Sequence, residues 1–388
     1  MLDRAVNNRN FDNWIDEWSA ARPAVAKPRL RDGTMRFGIF WPYAQTALPT
    51  TLLIERNPDV MDVTNHIRLA RAVEQAGFDA ILLPDGYAAQ SHEASEIKFL
   101  DPSTSGVIWA VPLIMATKRI GIFSTLHTTY LHPLHIARFG AHLSHLSGGR
   151  WGWNIVAGHR ITEASLFGYE ELPDHENRYA RAEEMVRIVR KLWESPLGVD
   201  HQSDLFKVRG RMRGPFPVGS PALVSAASSG RGHDFAIAHC DYLFGQVSQE
   251  SGISEIISDM TARAEAANKP PPPLLITAVV LIRDEPGLAR QHIEELYASF
   301  DPVVFDQLIG SRGRITQGGK VTDFPILAGT TDEVAEQIID LHRRTGVSGL
   351  VLRMPYWAPE EALRLAPVFA KLQKAGVWSP PEARDYCW

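Results

Sequence analysis

The 388-residue sequence predicts a single α/β domain, a (β/α)8 TIM barrel with insertions after strand 1 and before the last βα unit. Three observations predict it. Short apolar runs alternate with helix-periodic stretches along the chain, the pattern of parallel strands joined by crossover helices. Several of the runs are nearly continuous in apolar residues, as strands buried on both faces are. Eight such runs can be counted, the number that closes a barrel, and none is followed by GxGxxG as in a doubly wound nucleotide-binding sheet, which would also alternate.

The elements follow in order. Residues 1–34 form an N-terminal arm, in which Phe11, Trp14 and Trp18 recur at spacings of three and four and suit a short amphipathic helix. The arm either packs on its own barrel or bridges subunits. Residues 35–388 form the barrel. MRFGIF (35–40) is the first strand. HIRLARAVEQAG (66–77) is a helix closing on a C-cap glycine, and FDAILLP (78–84) is a strand stopped by proline. A helix over 102–118 leads to the strand RIGIFST (119–125), and a helix over 133–149 leads to the strand RWGWNIVAG (150–158). The long helix 176–195 precedes the strand 221–227, and the helix 231–240 precedes the strand 241–245. The strands 273–282 and 348–354 complete the eight, separated by helical stretches near 253–267, 285–297 and 331–345. Residues 42–63 and 300–325 are long for connections. The first follows a strand end, where barrels place substrate contacts, and the second suits a lid.

Composition narrows the function. A net charge of −5 and a pI near 6.3 give no electrostatic footprint for nucleic acid or an anionic membrane. Two cysteines, Cys240 and Cys387, cannot build a disulfide framework and fit a reducing compartment. The first twenty residues carry Asp, Glu and Asn where a signal peptide needs an apolar run, so the cytoplasm is the expected location. There is no Walker loop, GxSxG or CxxC. His127, His132 and His135 cluster after the third strand without the converging carboxylates a metal-dependent barrel hydrolase needs, and no metal is expected.

Polar residues at strand ends remain. Asp85 and Gly86 follow strand two, and Thr128 follows strand three. Asn154 lies inside the apolar run WGWNIVAGH, where an amide is costly unless partnered; it is either a satisfied core amide or a group facing a ligand. Glu163 lies just beyond the same strand. Ser228 and Ser229 sit where a helix begins, and hydroxyls and free N–H groups there suit a phosphate. These residues alone imply a barrel enzyme with a phosphorylated ligand.

LSGGRWGWNIVAGH followed by EASLFGYEELPDHENRYARAEEMVRIVRKLWES resembles the core signature of the bacterial luciferase-like flavin-dependent monooxygenases. AVEQAGFDAILLPD and SAASSGRGHDFAIAHCDYLF resemble that family's second-strand and phosphate-loop segments. The resemblance covers residues 35–245 well and leans toward the pyrimidine, dimethylsulfone and alkanesulfonate monooxygenase subgroup. It implies reduced FMN as cofactor, O2 as co-substrate and oxygenation of a small organic substrate through a flavin peroxide. A heterocyclic amide, a sulfone or a sulfonate would suit. It also implies a separate NAD(P)H-dependent flavin reductase and a homodimer or homotetramer. Under it Asp85, Gly86, Asn154, Glu163, Arg178, Tyr179, Ser228 and Ser229 hold the flavin, with Ser229 on the phosphate. Thr128 and Asn154 flank dioxygen. His127, His132 and His159 depart from the subgroup's pattern; Trp41, at the close of strand one, His127 and His132 shape the substrate pocket, and His159 is a candidate proton carrier. Two readings on the same fold stay open, a deazaflavin (F420)-dependent oxidoreductase and a flavin-binding protein without turnover.

Overall fold

Eight parallel strands close the barrel, each supplied by one of the apolar runs. The computed structural model describes residues 32–195, 198–247, 249–312 and 325–384. The Phe11–Trp18 segment, Cys387 and residues 313–324 of the expected lid lie outside the described residues. The strands are β1 (Arg36–Phe40), β2 (Ala80–Leu83), β3 (Gly121–His127), β4 (Trp151–Val156), β5 (Val199–Gln202), β6 (Lys207–Gly210), β7 (Ala222–Ala226), β8 (Tyr242–Gly245), β9 (Leu274–Ile282), β10 (Ile326–Gly329) and β11 (Gly349–Arg353). The ring runs β1–β2–β3–β4–β7–β8–β9–β11 and returns to β1, with every pairing parallel.

Among the strands of the described residues, three features differ from the sequence expectation. β5 and β6 form an antiparallel hairpin outside the ring. β10 pairs with the C-terminal half of β9, over Val279–Ile282, where the nine-residue β9 is leaving β11. β3 runs on to His127, so that histidine belongs to the strand.

Local signals explain the element ends. The Asp62 side chain caps the helix Val63–Ala76, which closes on Gly77 at φ 104°, a left-handed position that favours glycine. The helix Thr331–Thr345 opens with a capping box from Thr330 and Glu333. The Ser-Gly-Gly-Arg turn has a structural meaning too. Arg150 is buried and donates to the carbonyls of Ile114, Thr117, Ile120 and Ser147 and to the Thr117 hydroxyl, tying β4 to the end of the preceding βα unit. Burial pushes its guanidinium down to about 10.

Alternate residues of the ring strands fill the barrel. Leu82, Phe123, Val224, Tyr242, Phe244 and Val351 form one interior cluster, with Phe40 packed on it. Phe123 crosses the axis because β4 offers Gly152 there; a Cβ on Gly152 would lie 2.3 Å from the Phe123 ring. These side chains plug the barrel, so a ligand can reach the interior only from an open end. The larger core lies between the strands and the helical shell and includes Trp151 and Trp153. No helix among the described residues is long and apolar enough to cross a membrane.

Candidate active site at the C-terminal mouth

The mouth is polar where β3, β4 and β7 end. Asn154 stands opposite Thr125 in the β3–β4 register, and both share the interior face with Phe123. The Thr125 hydroxyl donates to the Leu83 carbonyl at 2.8 Å and accepts from Asn154 Nδ2 at 2.9 Å. Asn154 is 4% exposed, yet its Oδ1 has no hydrogen-bond partner. A buried acceptor in that state costs about 1–3 kcal/mol unless a ligand satisfies it.

Two carboxylates and a histidine gather above this pair. Asp85 accepts from the N–H groups of Gly86 and Gly106, both at 2.9 Å, and from Ser105 Oγ. Burial pushes its carboxyl up to about 6 despite those bonds. Glu163 is 2% exposed; its Oε1 accepts from Tyr87 N at 3.2 Å and lies 3.6 Å from Arg160, while Oε2 has no partner. Gly86 keeps this approach open, because a Cβ there would lie 3.1 Å from Glu163 Oε1. His127 Nε2 faces the Asp85 carbonyl at 3.3 Å, and its buried Nδ1 is unpartnered. Burial pushes this imidazole down to about 4, so it is uncharged at neutral pH. Tyr87 and Tyr130 pack on its ring, and Phe167 stacks on Tyr130 at 4.6 Å.

Two helix N-termini meet beside β7. Ser229 caps the helix Gly230–His239 through Gly232 N, and its hydroxyl lies 3.0 Å from His175 Nε2 at the start of the helix His175–Glu194. Tyr179 crosses underneath, and a Cβ on Gly232 would come within 2.5 Å of its hydroxyl. Arg231 is held by Glu176 and Glu183. Ser228 is exposed, and Ala226 alone in β7 is exposed at the mouth. Arg178 donates from Nη1 to the Pro173 carbonyl, while its buried Nε is unpartnered.

Asp85, Gly86, Asn154, His127, Glu163, Arg178, Tyr179, Ser228 and Ser229 thus lie on strand ends and helix starts at one end of the barrel. Other predicted residues sit differently. Thr128 is fully buried, its hydroxyl 3.5 Å from the Val156 carbonyl, and the hydroxyl bonded to Asn154 is that of Thr125. His132 is exposed and serves as an N-cap, accepting from Leu134 N. His159 is exposed. Trp41 points outward from β1 and donates to His66 Nδ1 at 2.8 Å, yet it also lines a cavity beside the mouth. Among the described residues no cluster of His, Cys, Asp and Glu could hold a metal ion.

The family model described as luciferase-like monooxygenase matches residues 35–349. The chain belongs to that family. A dibenzothiophene-sulfone monooxygenase of Rhodococcus erythropolis is 28% identical over 288 residues, 66% of this chain and 64% of the relative, so under two thirds of that relative's length is spanned. One component of the pristinamycin IIA synthase of Streptomyces pristinaespiralis is 31% identical over 304 residues, 74% of this chain and 71% of the relative. The crystal structure of a long-chain alkane monooxygenase superposes with a TM-score of 0.81 at 20% identity, covering 89% of this chain and 92% of that one.

The structure adds residues that sequence reasoning passed over. Thr125 was findable, since it pairs with Asn154 once β3 is carried to His127. Tyr87, Tyr130 and Phe167 carried no periodic signal, because they sit on loops and at a short helix end. Arg181 donates from Nε to the Thr128 carbonyl and lies 4.3 Å from the Phe206 ring, so the β5–β6 turn braces the β3 loop.

Proposed function

We propose that this monooxygenase binds reduced FMN delivered by a separate NAD(P)H-dependent flavin reductase and oxygenates a small organic substrate with O2. One observation carries the reading. Buried, unpartnered acceptors at Asn154 Oδ1 and Glu163 Oε2 lie at the same barrel end as a serine-capped helix start. A phosphorylated, hydrogen-bond-donating ligand fits that donor and acceptor set.

When bound, reduced FMN supplies the electrons that activate dioxygen. The protein's own groups do the rest. The Ser229 hydroxyl and the free N–H groups of Gly230 and Arg231 hold the phosphate. Ser228, Arg178 and Tyr179 border that end, and Tyr179 sets the floor beneath it. Asn154 Oδ1 and Glu163 Oε2 accept from the flavin's N–H and hydroxyl groups, and Asp85 and Gly86 keep the β2 loop in place beside them. His127 stays neutral and offers Nδ1 as an acceptor. The Thr125–Asn154 pair, with Thr128 behind it, presents no strong acid to the oxygen side, and Tyr87 and Tyr130 pack on His127 beside it, with Phe167 stacked on Tyr130. His159 and His132 lie on the rim, and His159 is the candidate proton carrier at the entrance.

Oxygen uptake with chemically reduced FMN and a panel of sulfones, sulfonates and heterocyclic amides tests this. Substrate-dependent uptake with an oxygenated product is expected. Turnover of reduced deazaflavin without oxygen, or tight binding of oxidised FMN with no substrate-dependent uptake, would refute it.

A further inference from the structure

The start of the helix Gly230–His239 faces the proposed phosphate, and a dianion there is held best by a cation as well as by N–H groups. Arg231, on the helix itself, is engaged by Glu176 and Glu183. A second guanidinium, that of Arg263, reaches the same helix start from the neighbouring helix Glu250–Ala266. Its side chain is 35% exposed, so a ligand can touch it.

Arg263 is aimed by two carboxylates. It donates from Nε to both oxygens of Asp259 at 2.9 Å and from Nη1 to both oxygens of Asp234 at 3.1 Å. Asp259 is fixed in turn by His233, whose Nδ1 lies 2.6 Å from Oδ2. Nη2 makes no hydrogen bond among the described residues, and it is the atom pressed on Gly230. A Cβ built on Gly230 would lie 2.4 Å from Nη2, 2.8 Å from Cζ and 3.3 Å from Nη1. Gly230 is helical, so its backbone does not itself call for glycine. What the missing Cβ permits is the close approach of the guanidinium. The Cα–Cβ bond of a helical residue tilts toward the helix N-terminus, so a group lying against that position in the first turn sits beside the free N–H groups. The bonds to Asp234 and Asp259 would bridge the two helices by themselves. That bridge uses Nε and Nη1 and gives neither the glycine nor the unused Nη2 a role.

We propose that Arg263 is a phosphate-binding residue: Asp234 and Asp259 aim its Nη2 past Gly230 at the phosphate of the bound flavin, and Gly230 is the gap through which it reaches. Arg263 thereby makes the site select the phosphorylated flavin over riboflavin. That the phosphate belongs to a flavin rests on the FMN reading of the mouth.

Oxidised FMN and riboflavin are titrated by flavin fluorescence into the full chain and its variants. Arg263→Gln is expected to weaken FMN by about tenfold or more and to leave riboflavin within about twofold. Gly230→Ala, whose Cβ pushes the flexible end of the arginine aside, is expected to weaken FMN by about threefold or more in the parent. In an Arg263→Ala background the same change should cost less than about twofold. FMN affinity unchanged in Arg263→Gln overturns the proposal, as does an equal loss for both flavins in a folded Arg263→Gln protein, the mark of a helix bridge alone. So does a Gly230→Ala effect of the same size with and without Arg263. Should Arg263→Gln melt below the assay temperature, Gly230→Ala decides, and unchanged FMN affinity in it overturns the proposal. Ser229→Gly is run alongside. FMN affinity lost in Ser229→Gly but kept in Arg263→Gln sinks the role of Arg263 and spares the phosphate site; FMN and riboflavin bound alike by every protein sinks both.

Discussion

Ser229 offers the sharpest test of the cofactor site, because its hydroxyl is proposed to do two separable things. It caps the helix Gly230–His239 by accepting from Gly232 N at 3.2 Å, and it is proposed to contact the ligand's phosphate. Ser229→Ala removes both roles. Losing the cap costs about 1 kcal/mol, which lowers Tm by about 1–2 °C in a chain of this size. Losing one charge-assisted hydrogen bond costs about 1.5–3 kcal/mol, or roughly 10–150-fold in FMN affinity. Ser229→Gly separates them, since glycine caps within a few tenths of a kcal/mol of serine but has no hydroxyl. FMN binding should fall in both variants while Tm falls only in Ser229→Ala. Riboflavin, which lacks the phosphate, should bind all three proteins alike. Calorimetry or flavin fluorescence measures both ligands. Equal losses for riboflavin and FMN, or FMN affinity unchanged in Ser229→Gly, would refute the phosphate assignment and leave Ser229 a helix cap.

Three other changes probe the polar half of the mouth. Asn154→Leu removes an amide whose oxygen is unpartnered. Ligand-free stability should shift by less than about 1 kcal/mol in a urea melt while flavin affinity drops; a large stability loss with unchanged affinity would make Asn154 a plain core amide. His127 has its folded pKa depressed to about 4, so its contribution is complete above 6.5 and is lost as pH falls from 6.5 toward 4. The shift corresponds to about 3 kcal/mol, so His127→Gln should flatten the fall in stability across that window; an unchanged pH profile would contradict it. Asp85 has the opposite sign. Its folded pKa is raised to about 6, so its contribution is most favourable below the unfolded value of 3.8 and declines as pH rises through 6. Asp85→Asn should therefore gain stability relative to the parent between pH 4 and pH 8, by up to about 3 kcal/mol, as read by melts at both pH values.

Much of this architecture was legible because the ring strands are buried on both faces. Each of the eight apolar runs became a ring strand, and the glycines at 77 and 148 end helices as read. The hairpin β5–β6 escaped because VDHQ and KVRG are largely solvent-exposed and carry no hydrophobic period. β10 escaped because it is only four residues, ILAG, paired with the end of a strand that is leaving the ring. Among the site residues, those announced by a rule of backbone chemistry were the readable ones. Ser229 before a glycine-rich helix start and Asn154 in an apolar run each satisfy or violate a local rule. His132 also obeyed one, since the residue before Pro133 is a natural cap, and the cap explains its exposed position. Thr125 was missed because it lies inside a strand, and only interior parity, fixed by ring closure, shows which way it faces.

That parity also accounts for a mouth of two characters. Around the ring, β3 and β4 present Thr125, His127 and Asn154 to the interior, while β1, β8 and β11 present Phe40, Phe244 and Val351. A buried amide with an unused oxygen is unfavourable in the ligand-free protein. An apolar cavity open at one end is likewise under-packed. Both costs fall on the same end of the barrel, and the plug formed by Phe123 and its neighbours prevents either from relaxing inward. A polar phosphorylated ligand against β3, β4 and β7 would relieve the first of these costs.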